Sequence, residues 1–185
     1  MTLLQKLRRI FPGNPEEEPA RALYVTIVEH ARQPEFYAAQ GVPDSVDGRF
    51  ELLILHCFLV LRRLKAESKE TEALAQTLFD TLIYDMDQSL RESGVGDLKV
   101  GPKLRDMAEA FYGRIKAYEA ALADEDDAAL ADALRRNLYG TADEVPQGAP
   151  EAVAAYVKRE DAGLAEQDLA ALRGGHVAFG RPPGA

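Results

Sequence analysis

Apolar residues recur every three to four positions along most of this chain, and that spacing predicts helix after helix. Residues 46–65 carry the densest pattern. Phe50, Leu53, Ile54, Cys57, Phe58, Leu61 and Leu64 form one wide stripe, and Leu52, Leu55 and Leu59 cover a second side. A helix apolar nearly all round is a buried one, so this segment is predicted to be the centre of the fold. Asp44 or Ser45 suits its N-cap, and Asp47 places negative charge at its start. Residues 20–31 precede it with Leu23, Ile27 and Val28 on one side; Phe36 and Tyr37 belong to a short helical turn that stops at Gly41. A second long helix is predicted over 71–92, its core face formed by Leu74, Leu78, Phe79, Leu82, Ile83, Met86 and Leu90 and its end marked by Gly94. Pro102 fits a first helical position, and the helix it opens runs to residue 122 with Leu104, Met107, Phe111, Ile115, Tyr118 and Leu122 inside. The acidic turn 124–127 leads into a helix with Leu130, Leu134 and Leu138 on one side, stopped by Gly140. Two shorter helices follow near 150–159 and 162–172, and residues 173–185 are predicted to form a flexible tail.

No alternating apolar and polar run bounded by hairpin turns interrupts this pattern, and no repeat period is evident. The predicted architecture is all-α: a single irregular multi-helix domain over 19–172 around a buried central helix, with an N-terminal amphipathic helix and linker over 1–18. In that first segment Leu3, Leu4, Leu7, Ile10 and Phe11 share one helical face, while Lys6, Arg8 and Arg9 fall elsewhere. The apolar stretch is too broken for a secretory signal. A basic amphipathic helix suits an anionic membrane surface, so Leu3, Leu4, Lys6, Leu7, Arg8, Arg9, Ile10 and Phe11 are the expected membrane contacts. The competing expectation is a helix packed back onto the protein. The stretch PGNPEEEP, residues 12–19, then breaks the pattern as a linker.

Charge and composition narrow the function classes. The 185 residues hold 22 Lys+Arg against 31 Asp+Glu, a formal net charge of −9. That balance argues against broad nucleic-acid binding, which needs a positive surface. The longest apolar stretch, 52–61, is too short to span a bilayer. One cysteine, Cys57, excludes an internal disulfide framework and a cysteine-rich zinc site. His30, His56 and His176 show no metal-ligand spacing, so no metal and no cofactor is expected. His56, on the seam of the buried helix, reads as a hydrogen-bonded structural histidine.

Asp80, Tyr84, Asp87 and Arg91 share one stripe of the 71–92 helix. Paired aspartates there suit Mg²⁺ and an isoprenoid diphosphate in an all-α enzyme, but no second acidic motif accompanies them. The simpler expectation is an Asp87–Arg91 pair on a solvated face. GVGDLKVG lacks the strand-to-helix context of a phosphate loop. No catalytic residue is therefore assigned. What stands out is a loop pair, GVPDSVDGRF and LRESGVGDLKVG, mixing glycine, carboxylates and arginine beside the two long core helices. Tyr37, Asp44, Arg49, Asp87, Arg91 and Asp97 are the candidate partner-binding residues, since arginine is favoured in protein interfaces.

Several long blocks in order, LYVTIVEHARQPEFYAAQGVPDSVDGRFELLILHCFLVLRRL (23–64), ALAQTLFDTLIYDMDQSLRESGVGDLKVGPKLRDMAEAFYGR (73–114), AYEAAL (117–122) and RNLYG (136–140), resemble the ubiquinol–cytochrome c chaperone family. The resemblance covers at least residues 20–140. It implies an all-helical, non-enzymatic assembly factor that acts early on the membrane-embedded cytochrome b subunit of the cytochrome bc complex. Its implied partners are cytochrome b or its assembly intermediates, with a small helper protein and the translating ribosome in mitochondrial members. The expected location is the cytoplasm at the inner membrane face, or the mitochondrial matrix in a eukaryote. The rival expectations are the Mg²⁺-dependent enzyme and a general helical adaptor for another membrane complex.

Overall fold

The structure, a computed structural model, describes residues 13–124, 126 and 128–184. The predicted N-terminal helix lies outside the described residues. Among them the chain forms only helices: α1 Glu17–Ala31, α2 Pro34–Ala38, α3 Val46–Ala66, α4 Ser68–Glu92, α5 Asp97–Ala123, α6 Ala128–Asn137, α7 Ala149–Ala165 and α8 Leu169–Arg173.

Helix α3 is the axis of the molecule and touches α1, α4, α5 and α7. Its two apolar sides feed two cores. Leu52, Leu55, Phe58 and Leu59 face α2, α6, α7 and the end of α5, where they meet Phe36, Tyr118, Leu134, Val153 and Val157. Leu53, Ile54, Cys57, Val60 and Leu64 face α1, α4 and the middle of α5, where they meet Leu23, Ile27, Leu74, Leu78 and Phe111. Both apolar stripes of the sequence are thus explained by position: the helix has core on each side.

The start of α3 is fixed locally. Ser45 accepts the Gly48 N–H on its hydroxyl at 3.1 Å, satisfying one of the free donors of the first turn. Gly48 packs against the chain that enters the helix: a Cβ there would fall on the Pro43 carbonyl oxygen, well inside van der Waals contact. Gly48→Ala is therefore expected to destabilise the protein by roughly 1–3 kcal/mol, although alanine is the better helix former. A urea midpoint equal to or above that of the parent would contradict this.

Helix α1 starts at Glu17, inside the stretch predicted as linker, and three further boundaries differ from the sequence pattern. Helix α4 starts at Ser68 because Thr71, fully buried, donates its hydroxyl to the Leu64 carbonyl and ties the end of α3 to the next helix. Helix α5 starts at Asp97, so Pro102 lies inside it. Proline removes one backbone donor, whose partner would be the carbonyl of Leu98; that turn faces solvent, with Leu98 95% exposed, so water can replace the bond. Helix α7 runs unbroken to Ala165, past the predicted gap at 160–161. Asp161 there pairs with Arg62 at 2.9 Å, and Arg62 also holds Glu119.

The chain after α8 is not a free tail. The Gln167 side chain accepts the Ala178 N–H and donates to the Ala178 carbonyl. The Gly180 N–H donates to the buried Glu160 carboxylate at 2.7 Å, and Gln40 donates to the Pro183 carbonyl at 2.9 Å. Val177 and Phe179 pack against both cores. This segment is an extended strap across the seam between them. Its apolar residues are too few for a periodic signal, which explains why the pattern alone reads as tail.

Candidate partner-binding groove

Beyond Leu82, the second half of α4 and the first half of α5 form an αα-hairpin arm at the edge of the second core, on which Tyr84 and Met86 still pack. Between Leu82 and Phe111 only Val100 is buried. Gly94, at φ +78°, ends α4 in the left-handed conformation that closes a helix, and the arm turns there. The arm stands off the ends of α1 and α3 and leaves an apolar groove of about 290 Å³. Val28, Val46, Phe50, Leu53, Met86, Leu90 and Met107 line it, with Arg32, Arg49 and Asp85 among the polar groups. Val46 is 85% exposed at this groove, and Leu98 stands out of the start of α5.

The predicted partner residues form two clusters. In the first, Arg49 donates to Asp44 at 2.7 Å, and both side chains are well exposed. The guanidinium holds the Asp44 carboxyl below the usual carboxylate range. Tyr37 lies close enough to feel both charges, but its hydroxyl donates to the Ala31 carbonyl at 2.9 Å and its ring packs on the core. In the second, Arg91 grips Asp87 through two parallel hydrogen bonds, at 2.7 and 3.0 Å, and reaches Asp97 at 2.8 Å. Arg91 thereby ties the end of α4 to the start of α5 and braces the arm. Of the six, Arg49 lines the groove; Asp87 and Arg91 sit one residue round α4 from Met86 and Leu90, which also line it.

The aspartate stripe does not converge. Asp80 accepts from Gln76 at 2.8 Å, and Asp87 is clasped by Arg91. Asp85 accepts from the buried Tyr24 hydroxyl at 2.9 Å. No group of three or more His, Cys, Asp or Glu among the described residues is arranged to hold a metal ion.

Sequence spacing missed one cluster, because its members come from three distant helices. His30 on α1, His56 on α3 and Tyr156 on α7 meet in the interior, with Phe36 and Phe179 against them. The hydrogen bonds have a fixed direction. The Leu52 carbonyl can only accept, so His56 Nδ1–H donates to it at 2.7 Å. His56 Nε2 is then bare and accepts from the Tyr156 hydroxyl at 2.8 Å. Tyr156 Oη in turn accepts from His30 Nε2–H at 2.7 Å, and His30 Nδ1 accepts from the Gln33 amide at 2.7 Å. Both ring nitrogens of each histidine and the Tyr156 hydroxyl are satisfied while both imidazoles are neutral.

Burial, reinforced by the neighbouring His30, pushes His56 down to about 3, and burial also lowers His30. The unfolded chain takes up protons near the ordinary histidine value of 6.5, whereas folded His56 does not until about 3. Stability from this group is thus complete above 6.5 and lost as pH falls towards 3, at about 1.4 kcal/mol per pH unit. Urea midpoints at pH 7 and pH 5 test this against His56→Leu, which is expected to be weaker at pH 7 and to lose most of the slope. An unchanged slope in the variant would contradict the assignment.

A family model described as ubiquinol-cytochrome C chaperone matches residues 38–179. The chain belongs to this family. Its match takes in both arginine clusters except Tyr37, the groove-forming arm, α7 and the strap as far as Phe179. A crystal structure of the Cbp3 homolog from Brucella abortus is similar over 97% of each chain, at 40% identity and a TM-score of 0.79. The ubiquinol-cytochrome-c reductase complex assembly factor 1 of Xenopus laevis is 27% identical over 141 residues, 76% of this chain and 70% of that protein. The assembly factor 1 proteins of Mus musculus and Homo sapiens are each 26% identical over the same length, which is 47% and 46% of those longer proteins. This family member thus spans under half of the two mammalian relatives.

Proposed function

We propose that this protein is an assembly factor for ubiquinol–cytochrome c reductase, a non-enzymatic chaperone that holds cytochrome b or its assembly intermediates during biogenesis. Family membership supports the assembly role, and the observation that carries the holding role is the apolar groove between the arm and the ends of α1 and α3. A client subunit built of apolar helices must be shielded from water until it is assembled. A groove floored by Phe50, Leu53 and Leu90 can take one ridge of such a helix, the helix-in-groove mode of recognition. The paired methionines suit a client that changes shape, because an unbranched thioether repacks readily. Arg49 and Arg91 supply the polar rim.

Contact with a small helper protein and with the translating ribosome belongs to the same proposal. So does peripheral contact with the membrane through residues 1–11, from the cytoplasmic or matrix side. No helix among the described residues is long and apolar enough to cross a membrane. The rim is tested by reversing its charges, Arg49→Glu with Arg91→Glu. Capture of cytochrome b assembly intermediates by the folded double variant is expected to fall several-fold, since rim charges steer association and set register. Undiminished capture would remove the rim from the account.

A further inference from the structure

We infer that the tip of the arm is a membrane contact: Leu98 enters the interface of an anionic bilayer, and Lys99, Lys103 and Arg105 meet its phosphates. The contact is separate from the one proposed for residues 1–11, and three observations carry it.

The first is exposure. The arm turns at Gly94, and α5 starts at Asp97. Leu98, in the first turn of α5, is 95% exposed, more than any other large apolar residue described. A Cβ added at Gly94, Gly96 or Gly101 would meet nothing within 4 Å, so no other part of the described chain crowds the tip. Leu98, Gly101 and Pro102 share one face of the helix, and none of the three has a polar side chain.

The second is charge. A lone exposed leucine is ordinary on a protein surface. This one sits among cations. Residues 98–105 hold Lys99, Lys103 and Arg105 and no acid, in a chain of net charge −9. All three are exposed, and none is in an ion pair among the described residues. Asp97, beside them, is taken by Arg91 at 2.8 Å. The next acid, Asp106, lies about two helical turns from Leu98. Lys99 and Lys103 line one side of the leucine, and Arg105 continues its face. Free cations on an acidic protein select an anionic surface. The leucine in their midst selects a lipid one, because nucleic acid offers phosphates without an apolar layer beneath them.

The third is depth. Pro102 has no N–H, so the Leu98 carbonyl lacks its helical donor. A bare carbonyl is tolerated among headgroups, where water reaches it, and not in the hydrocarbon. The tip therefore rests in the headgroup layer, with the leucine side chain alone pointing deeper, which makes the contact weak and reversible.

Ser93, next to the tip, lines the apolar groove. A tip on the bilayer thus holds the groove at the surface from which a membrane client emerges. That consequence rests on the groove's being the client surface; the tip contact does not.

The chain has no tryptophan, so Leu98→Trp reports the tip alone. Ala162→Trp is the control. It lines a pocket with Arg62, Arg63 and Lys65 at the far end of α3, about 30 Å along that helix from the groove. Vesicles of phosphatidylglycerol and phosphatidylcholine, with brominated acyl chains as quencher, are titrated into each full chain. Leu98→Trp emission is expected to shift to the blue and to be quenched at least twofold more than Ala162→Trp, and pure phosphatidylcholine is expected to give no shift. Adding Lys99→Glu, Lys103→Glu and Arg105→Glu to Leu98→Trp should weaken vesicle affinity at least tenfold, since each cation near an anionic surface is worth about fivefold. Circular dichroism melts check folding, and Lys99→Gln with Lys103→Gln replaces the triple change if it does not fold. Vesicle binding with a silent Leu98→Trp would overturn the inference, since the membrane contact would then lie elsewhere. So would unchanged affinity after charge reversal, or a Leu98→Trp response to polyuridylate and none to vesicles. Val46→Asp with Met107→Gln, which alters the groove and not the tip, is expected to leave vesicle affinity unchanged, so a wrong groove and a wrong tip give different results.

Discussion

Replacing Tyr156 with phenylalanine is expected to lower stability by roughly 2–6 kcal/mol while leaving shape and volume almost unchanged. The Tyr156 hydroxyl is the shared centre of the buried chain: it donates to His56 Nε2 and accepts from His30 Nε2–H. Its loss strands one acceptor and one donor where water does not reach, at about 1–3 kcal/mol each. His56 cannot escape by charging, since burial already holds it at about 3. Substituting both histidines and the tyrosine by apolar residues of similar size is expected to restore part of the loss, because no polar atom is then left alone. Denaturant unfolding of the parent, Tyr156→Phe and the triple variant separates the alternatives. A loss below 1 kcal/mol in Tyr156→Phe would show that the chain carries little of the stability.

That network also marks the limit of what sequence pattern reveals. The two-sided apolar pattern of 46–65 placed the central helix correctly, because 3.6-residue periodicity reports local exposure directly. The two arginine clusters were legible because Arg91 and Asp87 are one helical turn apart and Arg49 and Asp44 five residues apart. The His30–Tyr156–His56 contact was not, since its partners are 100 and 126 residues apart and each looks like an isolated polar residue on an apolar helix. His56 is hydrogen-bonded, as its place on the seam of a buried helix implies, but its partners emerge only in the fold. The groove was invisible for a related reason. Met86, Leu90 and Met107 have core-like spacing, and only the fold places them half-buried along a groove. The strap reverses the error: Val177 and Phe179 show no period, yet they seal the seam between both cores.

The second large effect is expected at the groove. Val46→Asp combined with Met107→Gln should reduce capture of cytochrome b assembly intermediates at least tenfold. The change removes two apolar walls and puts a charge where an apolar helix would lie, at about 1–2 kcal/mol per lost side-chain contact. Folding should be little affected. Val46 is the first residue of α3, where a carboxylate favours the helix N-terminus, and Met107 is not part of either buried core. A melting temperature within a few degrees of the parent, together with lost capture, is the predicted outcome. Full capture by the folded variant would move the client surface elsewhere, with the half-buried Phe79 and the exposed Tyr112 next in line.

The most direct test of the central claim is made in the host. The gene is deleted, and reduced-minus-oxidised spectra of washed membranes are recorded under conditions that require the complex. The assembly role predicts selective loss of the b-type haem signal and of quinol–cytochrome c activity, restored by the intact gene and not by the Val46→Asp/Met107→Gln gene. Normal spectra and normal activity in the deletion strain would contradict it.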